Sequence, residues 1–153
     1  MEIGSHVHLI PKSFRENLRW RKRVLDKAAT DIEYRESLRQ LCSEDILFYI
    51  NGFVWTYNPK NLVDGHSIIP MVTYPFQDDT LTDLVNCIGH EDYLIKKSRD
   101  MGASWMCLLA FEWFWHFKQA LSFLVVSRVE DLVDKRGDPK SLFWKIDFSM
   151  STR

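Results

Sequence analysis

The stretch DYLIKKSRDMGASWMCLLAFEWFWHFKQALSFLVVS, residues 92–127, decides how the rest of the chain is read. It opens with a short β-rich run over 92–97 and passes through a polar loop. From Gly102 to about Gln119 it becomes a long apolar segment of helical character, and Leu121 to Ser127 then reads as a buried strand. Strand, loop, helix, strand is the order of a βαβ unit, whose helix crosses between two parallel strands. The expectation is therefore an α/β fold with a parallel sheet.

Upstream the period is different. Residues 12 to 50 read as helical: Pro11 precedes a run with Phe14, Leu18 and Leu25 on one face and basic residues on the others. Thr30-Asp-Ile-Glu33 has the form of a capping box and opens a second helix, with Tyr34, Leu38, Leu41 and Cys42 on one stripe. Ser43-Glu44-Asp45 starts a third, running to Gly52. Phe53 to Tyr57 and Ile68 to Tyr74 are β-rich around a polar loop, and Pro75 opens a helix that ends near Gly89. Ser127 to Asp134 and Pro139 to Phe148 read as short helices. The organisation expected is a helical extension over 1–52 and an α/β core over 53–153, together one compact unit.

With 153 residues the chain is long enough for one domain, and 46% hydrophobic and 14% aromatic residues supply its core. The formal net charge of -1 excludes a global field toward nucleic acid. Residues 1–30 nevertheless hold seven Lys/Arg against three acids, with Arg19, Arg21, Lys22 and Arg23 around Trp20. That cluster reads as a solvated helix face with a buried indole, ahead of DNA contact. Cys42, Cys87 and Cys107 show no paired spacing, which fits a reducing cytoplasm. Cys87-x-x-His90 is half a zinc site without a second pair, and His6 and His8 read as part of a disordered terminus. Trp105, Trp113 and Trp115 read as packing residues. Glu112, His116, Lys118 and Gln119 interrupt the apolar run, so no membrane span is expected.

The loop between the two expected strands carries the chemistry. A phosphate-binding loop aims consecutive backbone N–H groups and a helix N-terminus at one anion, while a lysine adds positive charge. Gly102 provides the turn and Ser104 a hydroxyl placed to hold Mg²⁺. Ala103 stands where such a loop has its lysine. Eight residues span Lys97 to Ser104, so Lys97 occupies the first motif position and its stem reaches back across the loop. Arg99 adds a second cation for charge developing on a γ-phosphoryl group.

Lys97-Ser-Arg-Asp-Met-Gly-Ala-Ser104 resembles the deviant Walker A motif of phage terminase large subunits, the ATP-driven motors that package DNA. In one branch of that family the lysine stands at the start of the loop. Tyr74-Pro-Phe-Gln77 is similar to the family's adenine-recognition element, and the stretch from Phe48 to Tyr57 with Pro59 is also of terminase type. Phe123-Leu-Val-Val-Ser-Arg128 looks like its second core strand with the following turn. The resemblance covers residues 43–148. It implies a partial P-loop NTPase-type parallel sheet preceded by the helical extension, with ATP and Mg²⁺ as cofactors. Lys97 would bind phosphates, Arg99 would be a catalytic arginine in cis, Ser104 the magnesium ligand and Gln77 the adenine contact. Ser98, Gly102 and Ala103 would complete the nucleotide site. Double-stranded DNA, a portal and a small terminase subunit are the implied partners, and a bacterial host's cytoplasm the compartment.

Other parts of the family pattern are missing. A Walker B strand ends in Asp followed by a catalytic Glu, whereas Phe123-Leu-Val-Val126 runs into Ser127-Arg128. No coupling motif or nuclease domain follows within these residues. The expectation is the N-terminal, ATP-binding part of such a motor, not hydrolytic alone. The alternatives are a non-enzymatic module binding DNA or protein through basic helices, and an inactive prophage remnant. Strands 92–97 and 121–127 are not neighbours in the family. Here they are expected either to pair directly or to leave edges that drive self-association.

Overall fold

The computed structural model describes residues 3–58, 67–118 and 121–152. The chain divides into two compact units, one up to Asp78 and the other Asp79–Thr152.

The first unit is built from α1 (Phe14–Thr30), α2 (Ile32–Glu44), α3 (Ile46–Phe53), β1 (Trp55–Tyr57), β2 (Ile68–Pro70) and the first turn of α4 (Pro75–Cys87). Its core is α3, which is apolar nearly all round and buries Ile46, Leu47, Phe48, Tyr49 and Ile50. A helix of that composition has no face for water, so others must enclose it. α1 contributes Trp20, Val24 and Ala28, one turn apart on a single stripe. The Trp20 indole meets Phe48 and Phe53 edge-on, with centroids 6.1 Å and 5.9 Å away. A Cβ at Gly52 would come within 3.3 Å of the same indole, so the close packing of α1 on α3 depends on that glycine.

Helix starts are set by carboxylates. Asp45 accepts from Leu47 N and Phe48 N at 2.9 Å and 3.2 Å, and also from the backbone N–H groups of Gly4 and His6. The segment expected to be disordered is thereby held to α3. α2 is capped by Asp31, which accepts from Tyr34 N at 2.9 Å. Thr30, the expected cap, is instead the last residue of α1, and its hydroxyl donates to Lys27 O.

In the second unit, α5 (Ala103–Phe117) buries Met106, Leu108, Leu109, Ala110 and Trp113. α6 (Glu130–Val133) is a single turn. α7 (Leu142–Ser151) packs on α5, with Trp105 edge-on to Phe148 and the Ser149 hydroxyl donating to buried Glu112 at 3.2 Å. Residues 121–127 form no regular element, and the Phe123 ring rests against Phe111 and Phe114 of α5. Phe123, Val125 and Ser127 are half-buried while Ser122, Leu124 and Val126 face outward.

The expected α/β fold, a partial P-loop-type parallel sheet, is not formed. The described residues are mostly helical, 59% helix in seven helices, with one two-stranded antiparallel sheet. β1 pairs β2 with Trp55 opposite Pro70 and Tyr57 opposite Ile68. Neither 92–97 nor 121–127 is a strand, so the direct pairing considered above does not occur either. Alternating or apolar β-rich sequence gives an extended backbone, but a strand exists only where a neighbour completes the ladder. Leu94 is 93% exposed and Leu124 87% exposed, so no neighbouring segment covers either side chain. No helix among the described residues is long and apolar enough to cross a membrane.

Candidate phosphate-binding loop

The loop 96–102 leads from residues that form no regular element into the start of α5. Two left-handed positions shape it: Asp100 has φ 61° and Gly102 has φ 79° with ψ 10°. A left-handed non-glycine residue is uncommon, and aspartate tolerates it better than most. The pair of reversals on either side of Met101 delivers the backbone to the helix axis. The first α5 N–H with an intrahelical acceptor belongs to Met106, bonded to Gly102 O at 3.0 Å. The N–H groups of Ala103, Ser104 and Trp105 thus form the open first turn. Gly102 has no side chain to cap them, and no acidic residue lies in that turn.

Around this helix start the charge is positive. Lys96, Lys97 and Arg99 are all exposed, and among the described residues none of them has a carboxylate at ion-pair distance. Ser98 and Ser104 are exposed as well, and Ala103 is half-buried. The N-terminus of a 15-residue helix carries about half a positive charge, to which three flexible cations are added. The arrangement is suited to a polyanion of phosphate type. The sequence-predicted residues Lys97, Ser98, Arg99, Gly102, Ala103 and Ser104 therefore share one loop and helix start.

Gln77 lies in the first unit and has a structural task. It is buried, and its Oε1 accepts from Tyr74 N at 3.1 Å while its own N–H donates to Tyr74 O at 2.9 Å. This is the return half of a capping box, with Gln at the third helical position of α4. Beside it the rings of Tyr74 and Phe76 stack, 5.9 Å apart with planes 6° from parallel, and both are exposed.

Sequence reasoning missed a second polar centre. Lys12 Nζ reaches Asn51 Oδ1 at 3.0 Å, Thr73 Oγ1 at 2.9 Å and Asp78 Oδ2 at 3.1 Å. Buried Asn51 also accepts from Thr73 N and donates to Thr73 Oγ1 and Leu47 O. Next to it Arg21, on α1, is buried. Its Nε donates to Asn17 Oδ1 and its Nη2 to Asn51 O, while the guanidinium lies 5.1 Å over Trp55. Its Nη1 has no hydrogen-bond acceptor, and burial pushes the guanidinium pKa down to about 9. The basic cluster around Trp20 is thus not uniformly solvated. Arg21 belongs to the interior, and no charge pattern in the sequence distinguishes it from Arg19 or Lys22.

No group of three or more His, Cys, Asp or Glu side chains among the described residues is arranged to hold a metal ion. No protein-family model matches the chain, and neither a curated protein nor a solved structure matches it.

Proposed function

We propose that the chain is the ATP-binding part of a DNA-packaging motor of terminase large-subunit type, with the triphosphate held at the start of α5. The observation that carries the reading is the open first turn of α5. It is preceded by two left-handed residues and three unpaired cations, in the same residues that resemble the deviant Walker A motif.

The backbone N–H groups of Ala103 and Ser104 would donate to phosphate oxygens, with Gly102 allowing the close approach. Lys97 would neutralise the β- and γ-phosphates, Ser98 would line the loop, and Arg99 would meet charge developing at the terminal phosphoryl group. Magnesium would arrive with the triphosphate and take the exposed Ser104 hydroxyl as a protein ligand. Double-stranded DNA, a portal and a small terminase subunit follow as proposed partners, in a bacterial host's cytoplasm. The reading stands on the loop and helix and requires no parallel sheet around them.

Titration of the purified chain with a fluorescent ATP analogue tests it. Lys97→Ala abolishes binding while Lys96→Ala changes it little, because the motif count assigns the first position to Lys97. Equal losses from both substitutions, or no binding by the wild type, sink the reading. The competing reading, a module that binds through basic helices without nucleotide, is favoured by the exposed cations of α1 and expects no ATP affinity.

A further inference from the structure

Among the described residues Arg21 is the single Lys or Arg whose side chain is buried, 3% exposed on the inner face of α1. Its planar group is used along one edge. Nε and Nη2 share that edge and donate to Asn17 Oδ1 at 2.7 Å and to Asn51 O at 2.9 Å. Asn51 lies in the last turn of α3, where carbonyls lack an intrahelical donor, so this edge completes the helix end. The structural task asks nothing of Nη1, which is buried without a hydrogen-bond acceptor.

Charge is left over as well. No carboxylate lies at ion-pair distance of the guanidinium among the described residues. Lys12, the other cation on Asn51, has Asp78 as its own partner at 3.1 Å. The C-terminus of α3 offers about half a negative charge at most against a full positive one. The Trp55 ring, 5.1 Å from the guanidinium carbon, attracts the charge without neutralising it. Burial accordingly pushes the guanidinium pKa down to about 9. A neutral amide donor could cap the same carbonyl without burying a charge, so capping alone does not account for an arginine here.

We infer that the free edge of Arg21 is a binding site for a small monovalent carboxylate. A guanidinium edge and a carboxylate match as two parallel N–H···O bonds in one plane. A phosphate group carries about two negative charges, more than the one to be balanced. At 3% exposure the guanidinium has no room beside it for a long chain, which confines the ligand to formate or acetate size. Entry is past Trp55. That ring is half-buried and opens β1, one half of a two-stranded sheet, an arrangement of marginal stability by itself. The site lies in the first unit, and the inference does not rest on the nucleotide reading of the α5 loop.

The test is an NMR titration of the whole chain with sodium formate, and in parallel with sodium chloride. The Arg21 Nε–H resonance, assigned through its own side-chain carbons, shifts with formate to saturation and is unmoved by chloride. Urea unfolding in matched salt gives a second reading. Above the dissociation constant, each tenfold rise in formate raises the wild type's ratio of folded to unfolded chain about tenfold. Arg21→Met shows no such rise, and where that variant does not fold the NMR titration decides alone. A resonance that formate leaves in place means that water meets Nη1, and it overturns the inference. Equal shifts with chloride overturn it too, because they reduce the site to a general effect of anions. So does a formate response retained in Arg21→Met, which puts the ligand elsewhere. N-acetyl-aspartate amide stands for an acidic side chain of a partner protein and is expected to shift nothing. An equal shift with that probe assigns the edge to a protein carboxylate and overturns the small-molecule class. Lys97→Ala keeps the full formate response, so this inference and the nucleotide reading fail separately.

Discussion

Phe123 lies flat on Phe111, ring centroids 4.5 Å apart and planes 13° from parallel. The stack fixes one side of residues 121–127 on α5 and turns the other outward, where Leu124 and Val126 stand 87% and 75% exposed. Uncharged and apolar on its outer side, the segment is expected to drive self-association of the purified chain. Leu124→Lys with Val126→Lys shifts the light-scattering mass toward one copy, and the lysines clash with nothing because both sites face outward. A wild type that scatters as a single copy overturns this expectation.

Asn51→Ala destabilises the first unit by about 2–4 kcal/mol, because it strands the buried Thr73 N–H and removes an acceptor from Lys12. Urea unfolding measures it. A loss under about 1 kcal/mol would mean that water replaces the amide at little cost.

Gly102→Ala costs about 1–2 kcal/mol, the penalty of a left-handed position for a residue with a Cβ. The same substitution weakens ATP-analogue binding, since relaxing the backbone away from φ 79° turns the first α5 N–H groups off their common target. Intact binding alongside a clear stability loss would separate the turn from the site.

The purified chain releases phosphate from ATP at no sustained rate. Phosphoryl transfer needs the metal held by a carboxylate and the water oriented by another group, and Ser127-Arg128 stand where such a strand would supply Asp and Glu. Continuous release that vanishes in Lys97→Ala would point to an acid elsewhere in the chain.

His116 lies 3.8 Å from Glu112 Oε1, yet partial burial wins and its pKa is lowered from 6.5. The sign follows from proton counts. Below pH 6.5 the unfolded chain takes up the proton first, so this group's contribution to stability declines from about pH 6.5 down to the folded pKa and is level below it. Unfolding midpoints at pH 5 and pH 7 fall further apart in the wild type than in His116→Gln. An NMR titration placing His116 above 6.5 would show the carboxylate prevailing.

Local signals were legible. The starts of α4 and α5 follow from Pro75 and Gly102, and the Asp45 cap from Ser43-Glu44-Asp45. The turn at Gly102 into α5 is legible for the same reason, since its residues are contiguous. Where sequence reasoning failed, the deciding partner was distant or missing. Residues 92–97 and 121–127 have strand composition, but a ladder is a property of two segments and composition describes one. Nor does anything in Lys12, Asn51, Thr73 and Asp78 announce that they meet, because up to 66 residues separate them. Gln77, an adenine contact by resemblance, caps its own helix.

Asp45 holds Gly4 across 41 residues of chain. During synthesis at about 5–20 residues per second, Gly4 is made roughly 2–8 s before the carboxylate that will hold it. Asp45 also leaves the ribosome that much later, and until it does the Gly4 and His6 N–H groups lack the carboxylate they donate to. A slow-translating stretch that delays the emergence of Asp45 after that of Gly4 would lengthen the wait without altering one atom of the finished protein.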